Sequence, residues 1–226
     1  MKTPRCQIRA VIFDLDGTLL DTLADIGNAA NTVLEGMNFP PHPLPEYKTF
    51  VGDGVRVLFE RILPEGERRS EVIDAGVAKF AEVYREGWNK LSQPYAGVRS
   101  LLDELERRKL PLAVLSNKPQ AFTELCVFHY LADWEFAAVL GQRAGIPRKP
   151  DPTAALEIAA QLQCSAEECL YLGDTSVDMQ TATQAGMFAV GAAWGFRSVR
   201  ELREHGAEAI VHHPCDVLAI IDQTAA

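Results

Sequence analysis

The 226-residue sequence lacks closely paired cysteines, a long hydrophobic run and an excess of positive charge. Its five cysteines are odd in number, scattered and never spaced as C-x-x-C, which predicts neither a disulfide framework nor a zinc site. The apolar stretch near the first residue spans only a few positions, too few for a signal peptide or a membrane span. These absences predict a cytoplasmic protein that does not bind a membrane.

Positive charge is the scarcer sign, because 22 Lys and Arg stand against 31 Asp and Glu, giving a formal charge of -9. Non-specific binding of nucleic acid or of an anionic membrane needs a basic surface, so we expect neither. A small anionic substrate remains compatible with this charge, since a few fixed cations and a metal ion can dominate locally. The charge permits either a monomer or a homodimer.

Glycine and proline are spread thinly along the chain, at 16 and 13 residues, and hydrophobic residues make up 47% of it. This composition excludes collagen-like, low-complexity and disordered classes. Short apolar runs alternate with longer amphipathic stretches, which predicts an α/β fold with a doubly wound, mostly parallel sheet. We predict four strands, over residues 10–13, 112–115, 169–172 and 188–190. The loops that follow such strands meet at one edge of the sheet, where ligands bind.

Residues 22–95 break this alternation, because their apolar residues recur at helical spacing. Leu23, Ile26, Ala30 and Leu34 give the first example. The segment therefore predicts a small, all-helical domain inserted between the first two strands. The expected organisation is an α/β core domain, residues 1–21 and 96–226, with a helical domain over residues 22–95.

The first predicted strand ends in two carboxylates, Asp14 and Asp16, followed by Gly17 and Thr18. Residues two apart in an extended strand share a face, so both carboxylates would converge and repel each other. A divalent cation is the simplest compensation, and oxygen ligands of this kind suit Mg²⁺. A polar cap at the end of a strand is the alternative interpretation.

The third predicted strand ends in a similar way, with Asp174 at its tip and Asp178 four residues later. Asp178 would fall in the first turn of the next helix, where the helix dipole also favours an acid. Helix capping therefore stays open as an alternative for Asp178. With Asp14 and Asp16, four acids are expected at one edge of the sheet.

Two further segments supply groups that can bind an anion. The second predicted strand runs into Ser116, Asn117 and Lys118, with Pro119 marking the start of a helix whose amino terminus could bind an anion. Ser116 could equally be an ordinary N-cap. Lys149 lies in a proline-stiffened loop, where a lone lysine is usually solvated.

The four segments taken together resemble the haloacid dehalogenase superfamily of phosphohydrolases. The resemblance covers most of the chain in the expected order, and the helical insert is similar to the small cap domain of that family. It implies that Asp14 attacks phosphorus and forms an aspartyl-phosphate, while Asp16 acts as general acid and base. An acid at position 16 argues against a true dehalogenase and against a phosphonate hydrolase.

The resemblance also implies a ligand set. Mg²⁺ would be held by the side chains of Asp14 and Asp174 and by the backbone carbonyl of Asp16, with Asp178 and Thr18 orienting these groups. Phosphate oxygens would be bound by Ser116, Asn117 and Lys149.

Within the insert, Gly52, Asp53 and Gly54 predict a tight, exposed turn whose backbone could approach a ligand closely. A plain helix-to-helix turn is the alternative. The stretch is similar to the cap loop of phosphoglycolate phosphatases, which implies 2-phosphoglycolate as the substrate. Arg56 could pair with a substrate carboxylate or could face solvent.

Other functions remain open from the sequence. Pyrophosphate, a nucleoside monophosphate or a sugar phosphate could replace 2-phosphoglycolate as the small phosphorylated metabolite, and a sugar phosphomutase would use the same Asp14 and Asp16. A non-enzymatic alternative is a domain switched by aspartate phosphorylation, although such domains are shorter and lack an insert.

Overall fold

The computed structural model describes residues 3–223, which divide into two compact units. The larger unit comprises the residues up to Leu20 and those from Pro94 onward, and the smaller unit comprises Asp21–Gln93. The insert predicted over residues 22–95 begins one residue later and ends two residues later than this smaller unit. Its role as a cap domain stays a prediction.

Eight β-strands occur within the described residues, most of them in the larger unit. In chain order they are β1 (Ala10–Phe13), β2 (Leu20–Asp21), β3 (Gln93–Pro94), β4 (Leu112–Pro119), β5 (Ala138–Gln142), β6 (Cys169–Gly173), β7 (Phe188–Ala192) and β8 (Ala209–Val211).

Ten α-helices lie within residues 3–223. They are α1 (Leu23–Gly36), α2 (Tyr47–Phe50), α3 (Val55–Ile62), α4 (Ser70–Gly87), α5 (Val98–Arg107), α6 (Gln120–Tyr130), α7 (Thr153–Gln161), α8 (Ser176–Ala185), α9 (Val199–Glu204) and α10 (Asp216–Asp222). In this described part of the chain, no helix is long and apolar enough to cross a membrane.

Six strands form one sheet in the order β5-β4-β1-β6-β7-β8, and all neighbouring strands in it are parallel. The predicted α/β fold with a doubly wound parallel sheet is confirmed. From β1 the chain moves first to β4 and β5 on one side and then to β6, β7 and β8 on the other. Ligands bind beside such a reversal of strand order, beyond the carboxyl ends of the strands.

The strand register brings the predicted motifs together at this reversal. Phe13 of β1 is aligned with Val114 of β4 and with Leu172 of β6. The residues that follow these three positions therefore emerge side by side. Asp14 begins one such loop, and its backbone N–H donates to the carbonyl of Leu172 at 2.9 Å.

The predicted strands differ from the structure in number and in three carboxyl-terminal boundaries, since β6 ends one residue and β7 two residues later than predicted. The four predicted strands are present, but β5 and β8 of the main sheet were not predicted. Strand β4 continues four residues past its predicted end, to Pro119, so that Ser116 lies inside a strand. The expectation that Ser116 could be a helix N-cap is wrong, since α6 begins at Gln120 and its N-cap is Pro119.

One face of the sheet packs against α7 and α8 through small side chains. Ala10 and Ile12 of β1 point to this face because alternate residues of a strand share a side. Ala155 and Ile158 of α7 and Ala182 of α8 are buried in the same cluster. The many alanines let these helices approach the sheet closely and fix the loops at its carboxyl edge.

The smaller unit is helical, apart from the strand residues at its two ends. Phe80 of α4 packs edge-on against Phe59 of α3, with ring centres 6.0 Å apart, and stacks on Tyr84 at 5.1 Å. Such aromatic pairs stabilise a small core beyond the area they bury. Gly76 of α4 lies directly against the ring of Phe59, where a larger residue would collide.

Candidate active site

Lys149 is the buried centre of a charged cluster at the carboxyl edge of the sheet. Its Nζ atom lies 2.8 Å from Asp14 Oδ1 and 2.7 Å from Asp178 Oδ1. The carbonyl of Leu115 and the hydroxyl of Tyr171 lie 2.9 and 3.1 Å from the same atom. Lys149 is therefore not a solvated surface lysine, because its ammonium group is enclosed by oxygen atoms.

The pKa of Lys149 follows from these neighbours. Burial alone would lower this pKa, but the carboxylates of Asp14 and Asp178 outweigh burial and raise it well above its usual value. Lys149 is consequently a permanent positive charge at neutral pH. A fixed ammonium group in a buried site suits the recognition of a phosphoryl group.

Asp174 is held by two donors and two glycines. Its Oδ1 accepts a hydrogen bond from Thr18 Oγ1 at 2.9 Å, and its Oδ2 accepts one from the Phe196 backbone N–H at 2.7 Å. A side chain at either Gly17 or Gly195 would collide with the Asp174 side chain. These contacts fix the carboxylate in one orientation, and Thr18 has the orienting contact expected of it.

Asp178 serves two neighbours at once. Its Oδ2 accepts hydrogen bonds from the backbone N–H and the hydroxyl of Thr175, at 3.0 and 2.6 Å. Thr175 in turn caps α8 by accepting from the Asp178 N–H. The capping contact and the contact with Lys149 therefore both exist, one on each carboxylate oxygen.

The acids form a site that fits a divalent cation. Asp14, Asp174 and Asp178 each offer a carboxylate oxygen, and these oxygens lie within 4.8 Å of one another. All three carboxylates are buried, and Lys149 pairs with Asp14 and Asp178, so the three groups carry more negative charge when ionised than this one ammonium group offsets. Oxygen-only ligands with this charge suit a hard divalent cation such as Mg²⁺.

Burial raises the pKa values of two of these acids. Burial, chiefly, raises the pKa of Asp14 to about 7, with Lys149 opposing and Asp178 adding to the shift. Burial together with Asp14 and Asp178 raises the pKa of Asp174 well above its usual range. A bound cation would favour the ionised form of both groups.

Asp16 is paired with a residue to which the sequence analysis gave no role. Both oxygens of its carboxylate accept from Lys118 Nζ, at 2.9 and 3.1 Å. The Lys118 side chain is 4% exposed and that of Asp16 is 12% exposed. Asp16 thus lies at the rim of the cluster, whereas Asp14 lies inside it.

The side chains of Ser116 and Asn117, which both lie in β4, make different contacts. Asn117 holds the backbone of Lys149 from both sides, since its Nδ2 donates to the Lys149 carbonyl at 3.1 Å and its Oδ1 accepts from the Lys149 N–H at 3.0 Å. Ser116 is buried, and its Oγ accepts from the Lys118 N–H at 3.2 Å. The predicted contacts of Ser116 and Asn117 with phosphate stay predictions.

The predicted substrate loop lies in the smaller unit as the turn between α2 and α3. Gly52 and Gly54 have φ angles of 122° and 87°, which favour glycine. Asp53 pairs with Arg61 at 2.6 Å, and Arg56 pairs with Asp74. Arg56 also donates to Ser70 Oγ at 3.0 Å, so its guanidinium already has partners within α4. Contact of this loop with a substrate stays a prediction.

Sequence reasoning missed three side chains of the site, namely Lys118, Tyr171 and Thr175. Lys118 could have been found from its place two residues after Ser116 on a strand that ends at the site. Thr175 could have been found as the N-cap that pairs with Asp178 three residues later. Tyr171 carries no such signal, because it reads as an ordinary core residue of β6.

Residues 11–192 match the model of the haloacid dehalogenase-like hydrolase family. The chain belongs to this family. We predicted a phosphoric monoester hydrolase similar to phosphoglycolate phosphatases. Curated relatives with that name confirm this class of enzyme.

Two curated relatives are phosphoglycolate phosphatases from Pseudomonas species. Phosphoglycolate phosphatase 1 of Pseudomonas aeruginosa is 29% identical over 221 residues, covering 96% of this chain and 81% of the relative. Phosphoglycolate phosphatase of Pseudomonas putida is 32% identical over 198 residues, covering 86% and 72%. Both alignments extend well beyond any single motif.

Solved structures share the fold over nearly the whole chain. A Lactobacillus delbrueckii protein, whose proposed activity is phosphoglycolate phosphatase, has a TM-score of 0.89 and 30% identity, covering 95% of this chain and 98% of that protein. A haloacid dehalogenase-like family protein of Streptococcus pneumoniae has a TM-score of 0.85 at 24% identity, covering 94% and 97%. The second likeness shows the shared fold alone.

Proposed function

We propose that this hydrolase is a Mg²⁺-dependent phosphatase that cleaves 2-phosphoglycolate through an aspartyl-phosphate on Asp14. The observation that carries this proposal is the Lys149 ammonium group between Asp14 and Asp178, with Asp174 beside them. A carboxylate nucleophile needs a nearby fixed cation to receive an anionic phosphoryl group, and Lys149 provides one. The buried position of Asp14 also limits competition from water.

In the first step, an Asp14 carboxylate oxygen forms a bond to phosphorus while the bond from phosphorus to the ester oxygen breaks. Asp16 gives its proton to that ester oxygen, which leaves as the hydroxyl of glycolate. Lys149 and Ser116 bind the oxygens of the transferring group. Positioning and electrostatic stabilisation supply most of the rate enhancement in such transfers.

In the second step, the Asp16 carboxylate takes a proton from a water molecule as the water oxygen attacks phosphorus. The bond between phosphorus and Asp14 breaks, which releases inorganic phosphate and regenerates the free carboxylate. Asp16 ends this step protonated and ready for the next substrate. The two roles of Asp16 require that its carboxyl group be held at a constant distance from the reacting oxygens.

Mg²⁺, when bound, would neutralise the carboxylates and the incoming phosphoryl oxygens. We propose Asp14, Asp174 and the backbone carbonyl of Asp16 as its protein ligands. Thr18 orients Asp174, and Asp178 orients Lys149, through the hydrogen bonds described above. We assign Asn117 to positioning Lys149 rather than to direct phosphate binding, because its amide holds the Lys149 backbone.

The choice of 2-phosphoglycolate is supported by the names of the curated relatives and by their long alignments. The relatives act on a small phosphorylated metabolite, and we propose the same for this chain. The cytoplasmic location and the choice between monomer and homodimer stay predictions.

A substrate panel tests the proposal. Phosphate release should be measured for 2-phosphoglycolate, pyrophosphate, nucleoside monophosphates and sugar phosphates, with Mg²⁺ or with EDTA. Asp14→Asn is the test variant, and Asp133→Asn, whose side chain is 73% exposed, is the matched control. We expect kcat/KM to peak at 2-phosphoglycolate, to vanish with EDTA and in Asp14→Asn, and to be unchanged in Asp133→Asn.

The other outcomes of this panel separate mechanism from substrate. A profile that favours sugar phosphates or is flat would keep the aspartyl-phosphate mechanism and discard 2-phosphoglycolate. No turnover with any compound of the panel would contradict the enzyme assignment and would favour the phosphorylation switch. Full activity in Asp14→Asn would contradict the mechanism itself.

A further inference from the structure

Lys118 is a buried lysine of the site with no place in the mechanism above. Its Nζ atom reaches both carboxylate oxygens of Asp16, at 2.9 and 3.1 Å, across 102 positions of sequence. The Lys118 side chain is only 4% exposed, so its charge has been taken out of water to make this contact. Separating such a pair would leave a buried charge without a partner, which is strongly unfavourable. The Asp16 carboxylate and the Lys118 ammonium group are therefore held close together.

The backbone around Lys118 is equally constrained. Its carbonyl accepts a hydrogen bond from the buried hydroxyl of Thr123 at 3.1 Å, and its N–H donates to Ser116 Oγ at 3.2 Å. A side chain at Gly141 of the neighbouring β5 would come within 2.7 Å of the same carbonyl. Hydrogen bonds to its carbonyl and its N–H thus fix the backbone of Lys118.

An irregularity in the sheet sets the direction of Lys118. The pairing of β4 with β5 shifts register between Leu115 and Pro119. Register shifts of this kind redirect side chains and are common beside active sites. Here, Asn117 turns to the Lys149 backbone while Lys118 turns to Asp16. One short stretch of strand therefore places both lysines of the site.

We propose that Lys118 is a positioning residue that fixes the Asp16 carboxyl group for proton transfer to the leaving oxygen. This inference rests on the proposed function, since it presumes that Asp16 is the general acid and base. Asp16 follows Asp14 by two residues but lies at the rim of the cluster, where both of its carboxylate oxygens accept from Lys118 Nζ. Lys118 holds the Asp16 carboxylate in place, as Lys149 holds the Asp14 carboxylate.

Leaving-group dependence tests this role directly. Aryl phosphates carry no carboxylate, so a role of Lys118 in binding a substrate carboxylate would not affect them. Phenol leaves poorly and needs a proton, whereas p-nitrophenol leaves well without one. General acid catalysis contributes about 10²- to 10⁴-fold to such rates. The measurement is the single-turnover rate of aryl alcohol release from each ester with Mg²⁺.

For Lys118→Met, we expect the rate with phenyl phosphate to fall by about 10²-fold and the rate with p-nitrophenyl phosphate to change by less than about threefold. Lys118→Arg keeps a cation at this position and should restore most of the phenyl phosphate rate. Lys79→Met, an exposed lysine of α4, is the matched control and should match the wild type. Lys118→Arg also keeps the test possible if Lys118→Met does not fold.

A double-mutant cycle with Asp16→Asn completes the test. If Lys118 acts through Asp16, Lys118→Met should reduce the phenyl phosphate rate by less than about threefold in the Asp16→Asn background. An undiminished effect in that background would overturn the proposal, as would equal losses with both esters. A wild type with no Mg²⁺-dependent release of phosphate from 2-phosphoglycolate would instead overturn the proposed function, so the two failures are distinguishable.

Discussion

At the scale of single residues, the position of Asp174 depends on two neighbouring glycines that have no side chain. Gly17 and Gly195 approach its carboxyl group from two sides, and a Cβ atom on either would collide with it. Gly17 has a φ angle of 92°, so a larger residue there would also strain the backbone. Gly195 offers a cleaner test, because it has no positive φ and the atoms nearest to a Cβ there all belong to the Asp174 side chain.

We predict that Gly195→Ala displaces Asp174 and lowers Mg²⁺ affinity by at least tenfold, in line with the usual effect of disturbing a metal ligand's surroundings. Mg²⁺ binding should be measured by calorimetry, with Gly66→Ala as a control, since a Cβ at Gly66 meets no atom within 4 Å. Gly66, like Gly195, has no positive φ, so this control introduces an alanine without a collision and without backbone strain. Unchanged Mg²⁺ affinity in Gly195→Ala would contradict the placement of Asp174 as a ligand.

The raised pKa of Asp14 predicts that Mg²⁺ binding depends on pH. Because this pKa is about 7 in the metal-free protein, Mg²⁺ must displace a proton at lower pH. The apparent dissociation constant should therefore rise as pH falls below 7, by about tenfold per unit for the proton on Asp14 and more steeply where Asp174 is protonated as well. Calorimetry in buffers of different ionisation enthalpy would count the protons released. An affinity that is constant from pH 5.5 to 8 would contradict the shift.

The same shift has a defined sign for stability. The folded pKa of Asp14 lies above its value of about 3.9 in an unfolded chain, so the folded state binds more protons between these two values. The contribution of Asp14 to stability is therefore largest below pH 4 and declines as pH rises toward 7. Mg²⁺ should restore that loss, and its stabilising effect should be larger at pH 7.5 than at pH 5.5.

The sequence allowed prediction of these acids but of only part of their surroundings. Asp14, Asp16, Asp174 and Asp178 follow strands whose apolar character is plain, and parallel strands bring such residues to one edge. The pairing of Asp16 with Lys118 was not predictable in this way, since it depends on the register shift between β4 and β5. Whether a side chain faces one way or the other after such a shift is decided by tertiary packing.

At the scale of elements, the contact between α3 and α4 depends on one glycine. A Cβ atom at Gly76 would lie 2.5 Å from Phe59 Cδ1, well inside normal contact, and Phe59 is itself packed against Phe80. The two helices can approach this closely only because residue 76 has no side chain. Helix propensity alone would favour alanine there by about 1 kcal/mol.

We predict that Gly76→Ala destabilises the protein by about 1–3 kcal/mol despite the better helix propensity of alanine. Gly36→Ala, also in a helix but with open space around it, should be neutral or stabilising by up to about 1 kcal/mol. Urea unfolding of both variants gives the comparison. A stabilised Gly76→Ala variant would show that the close packing of α3 on α4 is wrong.

Prediction of elements from the sequence failed where strands are short or polar. β8 has three residues, and β5 includes a glycine, so neither forms the apolar run that identifies β1. The end of β4 was missed because Ser116, Asn117, Lys118 and Pro119 have the composition of a turn. These residues stay in a strand since their side chains find partners inside the site.

At the scale of the whole molecule, the net charge of -9 and an anionic substrate are compatible because the positive charge is placed locally. Lys118 and Lys149 are both buried within the larger unit, beside the acids whose charge they offset. From the net charge we expect no nucleic-acid or membrane partner. The net charge carries no information on which lysines are buried beside which acids. The pairing of opposite charges at one sheet edge is a property of the fold.

The central claim is that Asp14 becomes covalently phosphorylated. Wild type and Asp16→Asn should be mixed with Mg²⁺ and substrate, quenched into borohydride, digested and analysed by mass spectrometry. Hydride reduces an acyl phosphate to an alcohol and expels phosphate, which converts a phosphorylated aspartate into homoserine. We predict homoserine at position 14, with more in Asp16→Asn when the substrate is p-nitrophenyl phosphate, because its leaving group needs no proton in the first step while the second step lacks its base. Continued turnover with unmodified Asp14, or a label at another residue, would contradict the account.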